Sequence, residues 1–359
     1  METHLDPLLP LFERERAADR ALALGVLVRT EGSTYRKPGA LILIAAEGEY
    51  AGLISGGCLE GDLRERARAV IGTGVAQIVS YDTRGADDLL WGLGLGCEGL
   101  MQILLLRAGP DNGWQPLTHL AGALAARAAT AIGVVVESAR TELPPGSIAL
   151  PADARSAPAV QAALERAVKD GKSTWVEDAS AQVFVVPLTL PPRILLLGAG
   201  PDTLPVVDFA ARLDWKVTLV DHRPAYAVPA HFPAAERVLL ARPDELAAAL
   251  DLNQFNAAVV MSHHLPSDLI YLRTLAASTI PYIGLLGPAA RRERLLADLG
   301  AERAALRARL HAPVGLSLGG RGPESVALAI VAQLHAFLHA PGGADVHGLA
   351  GPQPDRVSA

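Results

Sequence analysis

The segment Arg193-Ile-Leu-Leu-Leu-Gly198-Ala-Gly200-Pro-Asp-Thr203 constrains the fold of this chain more than any other. An uninterrupted aliphatic run of strand length suits a strand buried on both faces, and this one opens into a glycine-rich turn and then a helical pattern. Glycines there let the backbone approach a pyrophosphate, with the N-terminus of the following helix aimed at the anion. Thr203 stands where the third small residue of that fingerprint belongs. The next strand-like run, residues 216–220, leads into Asp221, at the separation where an acid accepts a ribose hydroxyl. Strand patterns at 237–240, 257–261 and 282–286 then alternate with helical ones. Residues 191–340 therefore predict a Rossmann-like, doubly wound parallel sheet, with Gly198, Gly200 and Asp221 at its nucleotide positions.

Pro187, Pro191 and Pro192 mark the boundary before that domain. On their N-terminal side the pattern is mixed α+β. A helix is expected within 4–20, strands at 21–29, 41–46 and 50–54, and a hairpin turn at Glu47-Gly-Glu49. Residues 1–112 are expected to form one domain and 113–190 a middle α+β segment that packs with it. The Gly/Pro-rich tail from 341 to 359 is expected to be disordered.

The chemistry concentrates in Gly52-Leu-Ile-Ser55-Gly56-Gly57-Cys58-Leu-Glu60. It follows a strand and opens a helix with Leu59, Leu63, Ala67 and Val70 on one face. A glycine pair admits a ligand close to the backbone, and free N–H groups at a helix start favour an anion or a thiolate. Ser55 to Glu60 thus form a candidate anion cradle carrying a thiol. The dipole contributes about 1 kcal/mol, so a neighbouring cation or the ligand must do more to ionise a thiol. Arg36 and Lys37, in the turn-rich loop Glu31-Gly-Ser-Thr-Tyr-Arg-Lys-Pro-Gly39, fit either a solvated hairpin loop or an arm reaching a phosphate. Trp91-Gly-Leu-Gly-Leu-Gly-Cys97-Glu-Gly99 holds the other cysteine, as a filler of a bulged loop or a second functional thiol.

A weak internal echo links Gly25-Val-Leu-Val28 and Pro38-Gly39-Ala-Leu-Ile with Gly133-Val-Val-Val136 and Pro145-Gly146-Ser-Ile-Ala. The second copy lacks the cations and the cysteine, so its expected role is structural. His263 and His264 invite a metal assignment, but no carboxylate or cysteine cluster with ligand spacing surrounds them in sequence. Arg291, Arg292 and Arg294 are expected on a solvated helix face, and residues 311–322 in a loop.

Composition narrows the classes of function. A net charge of −6 argues against a general nucleic-acid binder, and no apolar run is long enough to span a membrane. Early acidic residues argue against a signal peptide, and two cysteines in 359 residues suit a reducing cytoplasm rather than a disulfide framework.

Taken together, Glu31–Gly39, Ser55–Glu60 and Gly94-Leu-Gly-Cys97 resemble the N-terminal domain of the XdhC/CoxI family. Leu197–Pro201, Val220-Asp-His-Arg-Pro224, Tyr282–Gly287 and Ala312-Pro-Val-Gly-Leu316 resemble its C-terminal Rossmann domain. The chain departs from the family pattern at Thr203, at Ser262-His263-His264 and at Ser317. The resemblance implies an accessory chaperone, a maturation and insertion factor rather than a turnover enzyme. Such a protein binds molybdenum cofactor (molybdopterin, or its cytosine dinucleotide form), supports its sulfuration with a cysteine desulfurase, and inserts it into an apo molybdenum hydroxylase of the xanthine dehydrogenase type. It also implies Cys58 and Cys97 as cofactor- or sulfur-handling thiols, with Gly56 and Gly57 as the backbone approach. A cytoplasmic homodimer is the expected form. The alternative is an oxidoreductase using NAD(P) or FAD in the Rossmann domain.

Overall fold

A computed structural model describes residues 5–84, 99–153, 156–178 and 180–339. Cys97 and the tail from residue 340 lie outside the described residues. The chain divides into two compact units, Met1–Leu190 and Pro191–Ala359.

The first unit runs α1 (Leu9–Ala17), β1 (Leu22–Gly32), β2 (Leu41–Ala45), β3 (Tyr50–Gly52), α2 (Glu60–Thr73), β4 (Gln77–Asp82) and β5 (Gly99–Ala108). It continues with α3 (Leu117–Ala125), β6 (Thr130–Ser138), β7 (Ile148–Ala149), α4 (Pro158–Asp170), β8 (Thr174–Glu177) and β9 (Ala181–Leu188). Two antiparallel sheets result, five-stranded β3-β2-β1-β5-β4 and four-stranded β7-β6-β9-β8. Side-chain alternation sorts the core into layers. Leu22, Leu24, Val26 and Val28 of β1 meet Ile132, Val134 and Val136 of β6 and Phe184, Val186 and Leu188 of β9 between the sheets. Ala23 and Leu27 turn the other way, onto Leu59 and the Leu63, Ala67 and Val70 stripe of α2. Ala131 and Val135 of β6 likewise meet Val160, Ala163, Leu164 and Ala167 of α4. The order of layers is helix, sheet, sheet, helix. Each fully buried Leu, Val, Ile or Phe contributes roughly 1.5–3 kcal/mol.

The sequence echo is the trace of a repeated architecture. In the first half, Leu27 donates to Ala40 and accepts from the N–H of Gly39; in the second, Val135 donates to Ser147 and accepts from Gly146. Gly39 and Gly146 both have positive φ, 100° and 86°. The ladder slips at Leu27/Arg29 in β1 and at Val135/Glu137 in β6. Leu22 pairs with Ala108 as Thr130 pairs with Leu188, and Gln77 pairs with Leu105 as Thr174 pairs with Val185. Helices α2 and α4 end alike, on left-handed Gly74 and Gly171. The β2–β3 hairpin belongs to the first half alone among the described residues.

The second unit comprises β10 (Arg193–Leu197), α5 (Leu204–Arg212), β11 (Lys216–Asp221), β12 (Arg237–Leu240), α6 (Leu246–Ala249) and β13 (Ala257–Val260). After these come α7 (Leu265–Ala276), β14 (Ile283–Leu285), α8 (Ala289–Asp298), α9 (Arg303–Leu306), β15 (Leu310–His311) and α10 (Pro323–His339). Its six strands are parallel, in the order β12-β11-β10-β13-β14-β15. This is the expected doubly wound Rossmann-like sheet, reversing direction between β10 and β13. Strand β10 sends Ile194 and Leu196 to the face covered by α5 and α10, and Leu195 and Leu197 to the face covered by α7 and α8.

Two details differ from the sequence reading. The loop expected from His311 begins inside a sixth strand, β15, which pairs Leu310 with Ile283 and is too short to show a period. Arg291, expected in solvent, reaches inward to the buried carboxylate of Asp268 at 2.6 Å.

Candidate functional site

In the first unit, topology gathers the predicted chemistry at one end of the five-stranded sheet. β1, β3 and β4 end there, while β2 and β5 begin there, because neighbouring strands are antiparallel. The loop carrying Arg36 and Lys37 joins β1 to β2, and the turn carrying Ser55 to Cys58 joins β3 to α2. Gly99, the first residue of β5, lies so tightly under the 31–34 backbone that a Cβ would stand 2.6 Å from the Ser33 carbonyl oxygen and 2.8 Å from that of Glu31.

The Ser55–Glu60 turn is held by its own ends. Glu60 is 3 % exposed and folds back, its carboxylate accepting from the Ser55 N–H at 3.1 Å and the Ser55 hydroxyl at 2.5 Å. Ser55 Oγ in turn accepts from the N–H groups of Gly57 and Leu59, both at 3.2 Å. The sequence reading puts Glu60 in the lining of the ligand cradle; its carboxylate stabilises the turn from within, and with the Leu59 N–H at 3.2 Å it takes three of the donors a bound anion would otherwise use. Gly56 and Gly57 remain exposed, with nothing within 4 Å of a Cβ at either. Gly57 has φ +106°, a conformation costly for any other residue. Cys58 stands immediately before the helix cap Leu59 and is half-buried, packed against the Leu59–Leu63 cluster.

Charged groups rim this end. Arg84 bridges the β1 and β4 ends, pairing with Glu31 at 2.5 Å and Asp82 at 2.7 Å. The Arg84 side chain and N–H hold the Asp82 carboxyl down at about 2. Tyr81 donates to Asp62 at 2.6 Å, and burial first, then this bond, push its hydroxyl pKa upward. Lys37 contacts Thr34 Oγ1 at 3.4 Å, and Arg36 forms no ion pair among the described residues.

The Rossmann positions are more closed than their spacing implied. Gly198 has φ +120°, and a Cβ there would stand 2.6 Å from the Met261 carbonyl oxygen; this glycine serves the close approach of β10 to β13. Thr203 is buried and its hydroxyl donates to the Gly198 carbonyl at 3.2 Å, which explains how it replaces a smaller residue. Asp202 crosses from the turn to His263 at 2.7 Å, and its Oδ1 would stand 2.7 Å from a Cβ on Gly200. Asp221 is fully buried and bound by the Ala199 N–H and by Arg223. Burial opposes its ionisation, but the Arg223 fork and the two N–H groups outweigh it and hold the carboxyl below its usual range. Sequence spacing located Asp221 but not its partner; Arg223, two residues on, was the available signal. Among the described residues no cluster of three His, Cys, Asp or Glu side chains could hold a metal ion, and no helix is long and apolar enough to cross a membrane.

Fold and site together define a two-unit protein that joins a thiol-bearing layered α/β unit to a Rossmann-like one. The chain belongs to the XdhC/CoxI family: residues 15–82 match the XdhC and CoxI family and residues 194–334 match the XdhC Rossmann domain. It is 31% identical over 334 residues to a Bacillus subtilis protein named as a probable xanthine dehydrogenase subunit, covering 92% of this chain and 96% of that one. An uncharacterised Escherichia coli K12 protein, YqeB, is 30% identical over 165 residues, 45% of this chain and 30% of its own length. A Bacillus halodurans crystal structure titled as a xanthine dehydrogenase superposes with TM-score 0.77 at 29% identity, covering 95% of this chain and 99% of that one.

Proposed function

We propose that this protein serves the maturation of a xanthine dehydrogenase-type molybdenum hydroxylase, as carrier of the molybdenum cofactor. The observation that carries this reading is the convergence, at one sheet end, of an open glycine backbone, a half-buried thiol and a cationic loop, in a member of this family. The xanthine dehydrogenase names of its Bacillus relatives support it.

The cofactor is cargo here, and its chemistry matches the groups at hand. Its terminal phosphate suits Arg36, Lys37 and the N–H groups left free by the Gly56–Gly57 turn. Molybdenum and its labile sulfur suit a soft sulfur ligand, which Cys58 supplies at the mouth of α2. Glu60 and Ser55 shape the turn rather than touch the cargo. Cys97 is proposed as the second sulfur-handling thiol. Under this reading the protein works in the cytoplasm as a homodimer, with a cysteine desulfurase and the apo-hydroxylase as partners. The test is molybdenum and pterin content after purification from a molybdenum-replete host. Cys58→Ala should fold normally and lose most of its bound cofactor; undiminished content would remove Cys58 from the site. Comparing molybdopterin with its cytosine dinucleotide identifies the form carried.

A further inference from the structure

At the carboxyl end of β11, the group that ordinarily accepts a ribose hydroxyl has no capacity left. Oδ1 of Asp221 accepts from the backbone N–H and Nε of Arg223, each at 2.9 Å. Oδ2 accepts from the Ala199 N–H at 2.8 Å and the Arg223 terminal nitrogen at 2.7 Å. A carboxylate offers about four acceptor positions, and all are taken. A free ribose diol arriving here meets no open acceptor.

The crevice presents Arg223 instead. Its side chain is 34% exposed, braced by the fork on Asp221 and lying 4.0 Å from the centroid of the Tyr226 ring. The second terminal nitrogen makes no hydrogen bond among the described residues. A guanidinium fixed in this way keeps planar donors for a phosphate without further ordering cost. Beside it, Nδ1 of His222 is buried without a hydrogen-bond partner and turned to Asp221, 3.6 Å from Oδ1. We propose that the Rossmann crevice binds a nucleotide bearing a phosphate on its ribose, with Arg223 on that phosphate and Tyr226 behind the guanidinium. An arginine in this part of the fold is a known physical solution for a 2′-phosphate. The proposal is independent of the cofactor-carrier reading, because it concerns only the second unit.

The test uses the full chain and calorimetric titration with NADPH, NADH, 2′-AMP, 5′-AMP and inorganic phosphate. NADPH should bind at least tenfold more tightly than NADH, and 2′-AMP should compete with NADPH where 5′-AMP does not. Arg223→Ala should abolish the preference through at least a tenfold loss of NADPH affinity, and an undiminished NADPH affinity in that variant overturns the proposal. That variant leaves Asp221 buried without its partner, so Tyr226→Leu provides a second arm, with a severalfold weakening for NADPH alone. Equal affinity for NADPH and NADH, or no binding of either at millimolar concentration, overturns the proposal. So does a 2′-AMP affinity no better than that of inorganic phosphate, which would leave only an oxyanion site.

Discussion

A buried carboxylate bonded to a serine on the same turn makes a sharp thermodynamic probe. Glu60 and Ser55 satisfy each other inside the first unit, so removing one strands the other. Glu60→Ala or Ser55→Ala alone should lower stability by about 1.5–3 kcal/mol in urea unfolding. The double variant should cost less than the sum of the singles, with the coupling read from the mutant cycle. In the second unit, Asp202→Asn should tighten NADPH binding and leave 2′-AMP unchanged in titration, because the carboxylate stands at the turn that a pyrophosphate would occupy. The motif Ser55-Gly-Gly-Cys58-Leu-Glu60 was legible in sequence, as was Asp221. The directions of their carboxylates were not. Spacing along a chain places a residue on a turn or strand end, whereas inward folding depends on which donors the surrounding backbone leaves unpaired.

Among elements, the paired helices α2 and α4 offer a controlled comparison. Each ends on a left-handed glycine, Gly74 at φ 72° and Gly171 at φ 63°, with open space where a Cβ would go. Gly74→Ala and Gly171→Ala should therefore each cost about 1 kcal/mol from backbone strain alone, and by the same amount within error of thermal or urea melts. A markedly unequal pair of values would mean that the two caps are not equivalent. A long element such as β1 was readable from its run of apolar residues. Strand β15 was not, because two residues carry no alternation and its pairing with β14 is a tertiary fact. Arg291 escaped for a similar reason: helical periodicity placed it on a polar face, and only the buried Asp268 on α7 draws it inward.

At the scale of the molecule, the two units have separate cores, which predicts separable responses to damage. Ser55 variants should move one calorimetric transition and Arg223 variants the other. Acid gives an independent check. The Asp221 carboxyl is depressed in the fold, so the stability it contributes is fully present above about pH 4 and is lost as pH falls through the lower folded value. Arg223→Ala removes the main group holding it down, and the acid midpoint of the second unit should rise while that of the first stays put. Doubly wound topology was legible because β10, β11, β13 and β14 are compact, mostly apolar runs between turn signals. The layered first unit was harder, since its two halves share a plan but hardly a sequence.

That shared plan supplies a reference inside the same polypeptide. Counting back from the glycines that end α2 and α4, the positions matching Ser55 and Glu60 are Ala152 and Ala157. The second half thus builds its sheet and helix with methyl groups where the first half keeps a hydroxyl and a carboxylate. Folding of this architecture does not demand that polar pair. Its presence in one half only marks the sheet end at which the two halves of the first unit differ most in chemistry, the end that carries Cys58.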